Sequence, residues 1–197
     1  MRQLSFYSVE AHPPRIADLA GLLCGPGQAV RFGSSGAARL SVVVTDRWRV
    51  VALRAVCAER GVQAEVATSA EGNPLLRTAF RTDLSELTAQ WTRGAVKAVP
   101  AGIELVGPTL RVWALTAGQR DGSGYLLGLD PHAEDTHEPL AVAMSMAGLV
   151  VVPAPAGARG QGRPSPALRL TGRRRLARLV ELIGDPPPGT PADAWPA

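Results

Sequence analysis

Apolar positions recur along this chain with two periods, 3.6 and 2, and the switches between them mark out its elements. From Pro14 to about Cys24, Ile16, Leu19, Ala20 and Leu23 stand at i, i+3, i+4 and i+7, the stripe of an amphipathic helix. Pro13 and Pro14 suit its first turn, and Gly25, Pro26 and Gly27 stop it. "AVRFG" and "ARLSVVV" are β-rich, and the "SSG" between them predicts a hairpin. Thr45 stands where a cap would open a second helix, with Trp48, Val51, Ala52 and Ala55 on its stripe and Gly61 at its end. "VQAEVAT" and "LLRTAFR" predict two more strands around "EGNP". Asp83 with Glu86 forms a capping-box pattern for a third helix carrying Leu84, Leu87 and Trp91, closed by Gly94.

The order then begins again. Thr109 heads a helix that turns Leu110, Trp113, Ala114 and Ala117 inward. "GYLLGLD" predicts a strand, and "EPLAVAMSMAG" a helix with Leu140, Ala143, Met144 and Ala147 on one side. "LVVVPAP" and "PALRLTG" predict strands flanking the flexible "AGARGQGRPS", and "RRRLARLVELIG" places Leu176, Leu179, Val180 and Ile183 on one stripe. The expected organisation is an αββαββα unit over residues 1–94, a linker over 95–108, a slightly shortened copy over 109–185 and a disordered proline-rich tail over 186–197. Setting Gly21 against Trp113 also sets Leu87 against Leu179, which supports a duplication of element order. The fold class is α+β, with two antiparallel sheets packed on helices.

Composition changes this picture little. A chain of 197 residues with 46% apolar content can bury a sizeable core. The 21 basic residues include a single lysine, Lys97. An arginine excess of this kind is what codon usage in a GC-rich genome gives by itself, so a net charge of +4 and a pI of about 9.8 permit an anionic partner without demanding one. Cys24 and Cys57 lie inside apolar helical patterns and are expected to be buried thiols. No stretch approaches the length of a transmembrane helix, and "MRQLSFYSVEAHPP" has no apolar run suited to a signal peptide, so a cytoplasmic location is expected.

The stretch "LAGLLCGPG", Leu19 to Gly27, opens the first unit, and "VWALTAGQRDG" is its counterpart in the second. Together with the duplicated αββαββα order, it resembles the LAGLIDADG homing-endonuclease fold, and within it the non-cleaving WhiA-type sporulation regulators of Gram-positive bacteria. The resemblance spans roughly residues 14 to 185. It implies two motif helices packed on a pseudo-twofold axis through Leu19, Ala20, Gly21 and Leu22 on one side and Trp113, Ala114 and Ala117 on the other. It also implies a saddle of sheets over double-stranded DNA, with a metal-binding acid at the foot of each motif helix in the cleaving members. Here Cys24 and Pro26 stand at the acid positions of the first motif. In the second, one alignment places Gly118 there and a shift of three residues places Asp121 there. Metal-assisted phosphodiester cleavage needs carboxylate oxygens to hold the cations, so no catalytic residue, metal or cofactor is expected. WhiA-type regulators carry a C-terminal helix-turn-helix, whereas this chain ends in "PPPGTPADAWPA", which leaves the saddle as the expected DNA contact.

Strand alternation selects the contact residues. Arg39 and Ser41 share one face. Arg77 and Arg81 lie together opposite Leu76, Thr78 and Phe80, Arg169 lies opposite Leu168 and Leu170, and Arg31 alternates with Val30 and Phe32. Arg159 and Arg163 fall in the glycine-rich hairpin tip, and Arg173 in the first turn of the last helix. Arginines on an open sheet face can neutralise phosphates and contact guanine edges; the same pattern fits an ordinary solvated face in an arginine-rich chain. "DPHAEDTHEP" is dense in histidine and carboxylate, but lacks a paired ligand spacing and fits a loop with an acidic helix start. No phosphate-cradling glycine loop or activated-nucleophile signature is present. The expected function is therefore a non-enzymatic, DNA-binding transcriptional or developmental regulator, with no membrane or small-molecule partner. Two alternatives stand beside it: a protein-interaction module engaging a sigma factor or another regulator, and an endonuclease of this fold with residual activity.

Overall fold

The computed structural model describes residues 8–33, 35–154 and 165–196. A 3-10 turn at Ile16–Leu19 runs into helix α1, Ala20–Cys24. Asp18 holds this entry: its carboxylate accepts from the Arg15 N–H at 2.9 Å and from the Arg60 guanidinium at 3.0 Å. Strands β1 (Gln28–Phe32) and β2 (Ala37–Val43) follow, then α2 (Arg47–Glu59), β3 (Ala64–Thr68), β4 (Pro74–Thr78) and α3 (Ser85–Gln90). A short hairpin, β5 (Thr92–Arg93) and β6 (Val96–Lys97), leads to the second unit. That unit comprises α4 (Gly107–Ala117), β7 (Gly118–Asp121), β8 (Gly124–Gly128), α5 (His137–Met146), β9 (Val152–Ala154), β10 (Ala167–Leu170) and α6 (Arg173–Ile183).

The two large sheets have the same order, β1-β2-β4-β3 and β7-β8-β10-β9, all antiparallel. Helices α1 and α4 lie side by side at the centre. A Cβ on Gly21 would fall 2.3 Å from the Thr109 carbonyl oxygen and 2.7 Å from the Trp113 nitrogen, so only glycine permits this approach. Leu19, Ala20, Gly21, Leu22, Trp113 and Ala114 are buried there, and Ala117 is half-buried at the foot of α4. One apolar core joins the units: Leu40, Leu53 and Leu84 of the first belong to the same cluster as Tyr125, Leu140 and Leu179 of the second. Both cysteines are buried free thiols, and burial pushes Cys57 up to about 11.

Several local expectations are corrected. The second unit has its own first strand, β7, whose "GQRD" lacks the apolar alternation that betrays a strand. None of the three expected caps operates. Asp46, not Thr45, stands at the start of α2; Val106 precedes α4, leaving Thr109 buried within it; and α3 follows a 3-10 turn at Thr82–Leu84, with the Asp83 carboxylate turned to Arg81. The span expected as a linker carries β6, whose Lys97 is buried. The tail is not disordered where described: Ala194 and Trp195 are buried, Trp195 Nε1 donates to the Gly184 carbonyl at 3.0 Å, and Tyr125 donates to the Ala194 carbonyl at 3.1 Å. An indole that can bury its rings and satisfy its N–H anchors a segment whatever its proline content.

Candidate nucleic-acid interface

Pairing across the first sheet separates its two faces. Ala38, Leu40, Val42 and Leu76 are buried toward the helices. On the open side Gln28 pairs with Ser41 and Ser41 with Arg77, while Val30 pairs with Arg39. Arg39, Ser41 and Arg77 thus share the open face, as alternation predicts. Arg31 does not: it pairs with Ala38, on the core side of the exposed edge strand β1. Arg81 departs for a different reason. The β2–β4 pairing runs Ser41–Arg77, yet Ala38 bridges Arg81, so one extra residue is inserted between them. A bulge of this kind reverses the alternation beyond it. Phe80 joins the open face, with its ring centroid 5.1 Å from that of Phe32 and the Arg39 guanidinium 4.5 Å above it.

In the second sheet Arg169 pairs with Leu126 and Val152 on the open side. Beside it Leu126, Ala154 and Ala167 form a small buried cluster of their own. Arg173 is exposed at the start of α6. Arg159 and Arg163 lie outside the described residues. Carboxylates already accompany several of these cations: Glu65 on Arg77, Asp83 on Arg81, and Asp121 on Arg169 at 2.9 Å. Arg31, Arg39 and Arg173 have no ion-pair partner among the described residues. Exposed pairs of this kind are worth only about 0–1 kcal/mol each, so a phosphate can compete for the paired arginines.

The feet of the central helices show what sequence reasoning missed. Pro26 and Gly118 stand at these two ends, and each is flanked by carbonyls that a buried cation clasps. Lys97 Nζ donates to the Gly25 carbonyl at 2.6 Å, the Gly27 carbonyl at 2.9 Å and Asp130 Oδ2 at 3.0 Å. Arg49, from α2, donates to the carbonyls of Ala114 at 3.1 Å, Leu115 at 2.9 Å and Gly118 at 2.5 Å, with Asp46 on its Nε at 3.0 Å. The last carbonyls of a helix have no partner within it, and a cation there suits their dipoles. Burial pulls the Lys97 ammonium below the ordinary lysine range, and Asp130 opposes that. The only sequence signal was that Lys97 is the sole lysine. A cavity of about 470 Å³ opens beside these feet, lined by Pro26, Trp48, Arg49, Thr116, Gln119 and Leu126.

Asp121 is not at a helix foot; it ends β7 and faces Arg169. In "DPHAEDTHEP", the Asp130 carboxylate is shared by Lys97, Gln28 Nε2 at 2.6 Å and the His132 N–H, while the His137 ring meets the Asp130 carbonyl at 2.8 Å. The described residues contain no group of three or more histidines, cysteines or carboxylates placed to hold a metal. No described helix is long and apolar enough to cross a membrane.

No protein-family model matches the sequence, and no characterised protein matches it at the sequence level. Solved structures do match in three dimensions. The homing endonuclease I-WcaI bound to its DNA recognition sequence aligns with a TM-score of 0.57 at 11% identity, covering 90% of this chain and 84% of that one. The N-terminal LAGLIDADG domain of DUF199/WhiA aligns at 0.54 and 12% identity, covering 87% and 82%. The chain has the LAGLIDADG fold. Full-length DUF199/WhiA from Thermatoga maritima aligns at 0.57 and 13% identity over 86% of this chain, which spans 54% of that longer protein. In this LAGLIDADG fold α1 and α4 stand side by side with Gly21 at their contact, with Cys24 and Pro26 at the foot of α1 and Gly118 at the foot of α4.

Proposed function

We propose that this chain binds duplex DNA across the open faces of its two sheets and does not cleave it, acting as a regulator. The observation that carries the non-catalytic reading is the pair of cation-clasped helix feet. A two-metal clamp on phosphate needs carboxylate oxygens, and Pro26 and Gly118 offer none. The carboxylates beside the two feet, Asp130 and Asp46, are engaged by Lys97 and Arg49, and these cations occupy the space where a divalent ion would have to sit. DNA binding is supported by the fold likeness to a DNA-bound homing endonuclease and by the arginines of the open faces.

Salt-dependent gel shift with random-sequence duplex tests the binding. Wild type is expected to shift the duplex at low salt and to weaken linearly in log[salt], and the Arg39/Arg77/Arg169→Ala triple variant to bind much more weakly. Equal binding by both, or none by wild type, sinks the saddle reading. Incubation of supercoiled plasmid with Mg²⁺ or Mn²⁺ is expected to leave it intact. Nicking that disappears in an Asp121→Ala variant would reverse the non-catalytic reading.

A further inference from the structure

The open face of the first sheet is not built for phosphate alone. Phe32 is 60% exposed and Phe80 37%, and with Val30 they form an apolar surface at the end of the first sheet where β2 begins. Soluble proteins seldom leave two touching phenylalanines in water without use. Their immediate company is cationic: Arg39 lies over the Phe80 ring. Arg39 has no carboxylate partner among the described residues. The bulge before Arg81 brings Phe80 to this face, so the platform is a property of the fold rather than of strand alternation.

Ring faces beside a guanidinium that has no ion-pair partner among the described residues match one ligand chemistry closely: a nucleobase with its phosphate. A base stacks on an aromatic face or on a guanidinium plane, and the cations take the charge that follows it along the strand. Paired bases inside a duplex do not present their faces. We propose that Phe32 and Phe80, with Arg39, form a stacking platform for an unpaired base of the bound DNA. The chain would then favour distorted or locally opened DNA over a fully paired duplex. This rests on the DNA-binding reading above and adds to it the kind of DNA that is preferred.

The test compares two fluorescent DNAs of equal length, one fully paired and one with a central unpaired bubble carrying 2-aminopurine. Wild type is expected to hold the bubble DNA roughly tenfold more tightly and to quench the 2-aminopurine, as one stacked base warrants. Phe32→Leu keeps the apolar surface and removes the ring. It is expected to abolish both the preference and the quenching while binding the paired duplex within about twofold of wild type. Phe32→Ala, at a side chain this exposed, should fold normally and give the same result; matching circular dichroism checks this. Equal affinity of wild type for both DNAs, with no quenching, overturns the platform and leaves duplex binding standing. Failure to bind either DNA overturns both readings. A preference that survives Phe32→Leu also overturns the platform.

Discussion

The two αββαββα units share an element order and a sheet order, and differ in almost everything they show to solvent. In the first, α1 is five residues long and wholly buried; in the second, α4 is eleven residues long. The first sheet opens on Phe32, Phe80 and an Arg39 with no ion-pair partner among the described residues, while the second opens on Arg169 held by Asp121 beside a small buried cluster. Even the feet of the central helices are closed differently, by a lysine from the connecting hairpin on one side and an arginine from α2 on the other. What is preserved is what the shared core requires: a glycine contact, apolar strand faces and satisfied helix ends. Solvated faces are free of that requirement, so they record function or drift.

The largest expected effect tests the contact that both units share. Gly21→Ala should destabilise the fold by about 4 kcal/mol or more, because its methyl meets backbone atoms of α4 that cannot yield. Gly25→Ala, whose Cβ has no neighbour closer than 3.3 Å, should cost under about 1 kcal/mol in the same urea titration. Lys97→Met leaves the Asp130 carboxylate and two carbonyls without their buried cation, and should cost about 3–4 kcal/mol. Arg49→Met should cost a similar amount; a much smaller loss would show that the two feet are not equivalent supports. Trp195→Ala should cost about 3 kcal/mol by thermal melting, an effect specific to the second unit, on which the tail packs.

Binding measurements come next in size. Arg39→Ala should weaken duplex binding and lower the salt slope by about one, whereas Arg169→Ala should change affinity less because Asp121 already neutralises it. Asp121→Asn should then strengthen binding, and equal losses at Arg39 and Arg169 would erase the contrast between the faces. The smallest effect concerns alkaline pH. The Cys57 thiol titrates near 9 when unfolded and at about 11 when buried, so its contribution is present below pH 9 and lost as pH rises toward 11. Wild-type stability should therefore fall faster above pH 9 than that of Cys57→Ala, measured as the difference between their urea midpoints across pH 8 to 10.5.

Much of the fold was legible because it is written in local periods. The alternation of Leu40 and Val42 and the stripe of Leu176, Leu179 and Ile183 each follow from a side that must be buried, whereas the one-sided stripe expected of Ile16, Leu19, Ala20 and Leu23 gives way to a 3-10 turn and a short helix buried all round. Legibility failed where burial does not alternate or where a partner is remote. Strand β7 carries no apolar alternation, and the caps at Thr45, Asp83 and Thr109 were displaced by 3-10 turns and by tertiary packing. At the candidate interface, Arg39, Ser41, Arg77 and Arg169 were placed on the open faces correctly. Arg31 and Arg81 were not, the one through pairing register and the other through a single inserted residue.

The sequence by itself pointed to the duplication, to the absence of acids at Cys24 and Pro26, and to the buried side of most elements; α2 is an exception, because Val51 and Ala55 of its expected stripe are exposed while Val50, Leu53, Val56 and Cys57 are buried. Those are properties of residue type and short spacing, and they survive in any fold that buries the apolar stripes. Only the tertiary structure decided that Lys97 closes one helix foot and Arg49 the other, that Trp195 anchors the tail, and that Phe80 turns to the saddle beside Arg39. Each of these joins residues far apart in the chain or depends on one residue of register. Local pattern cannot encode such choices, because they are made when the two units pack against each other and every buried polar group must find its partner.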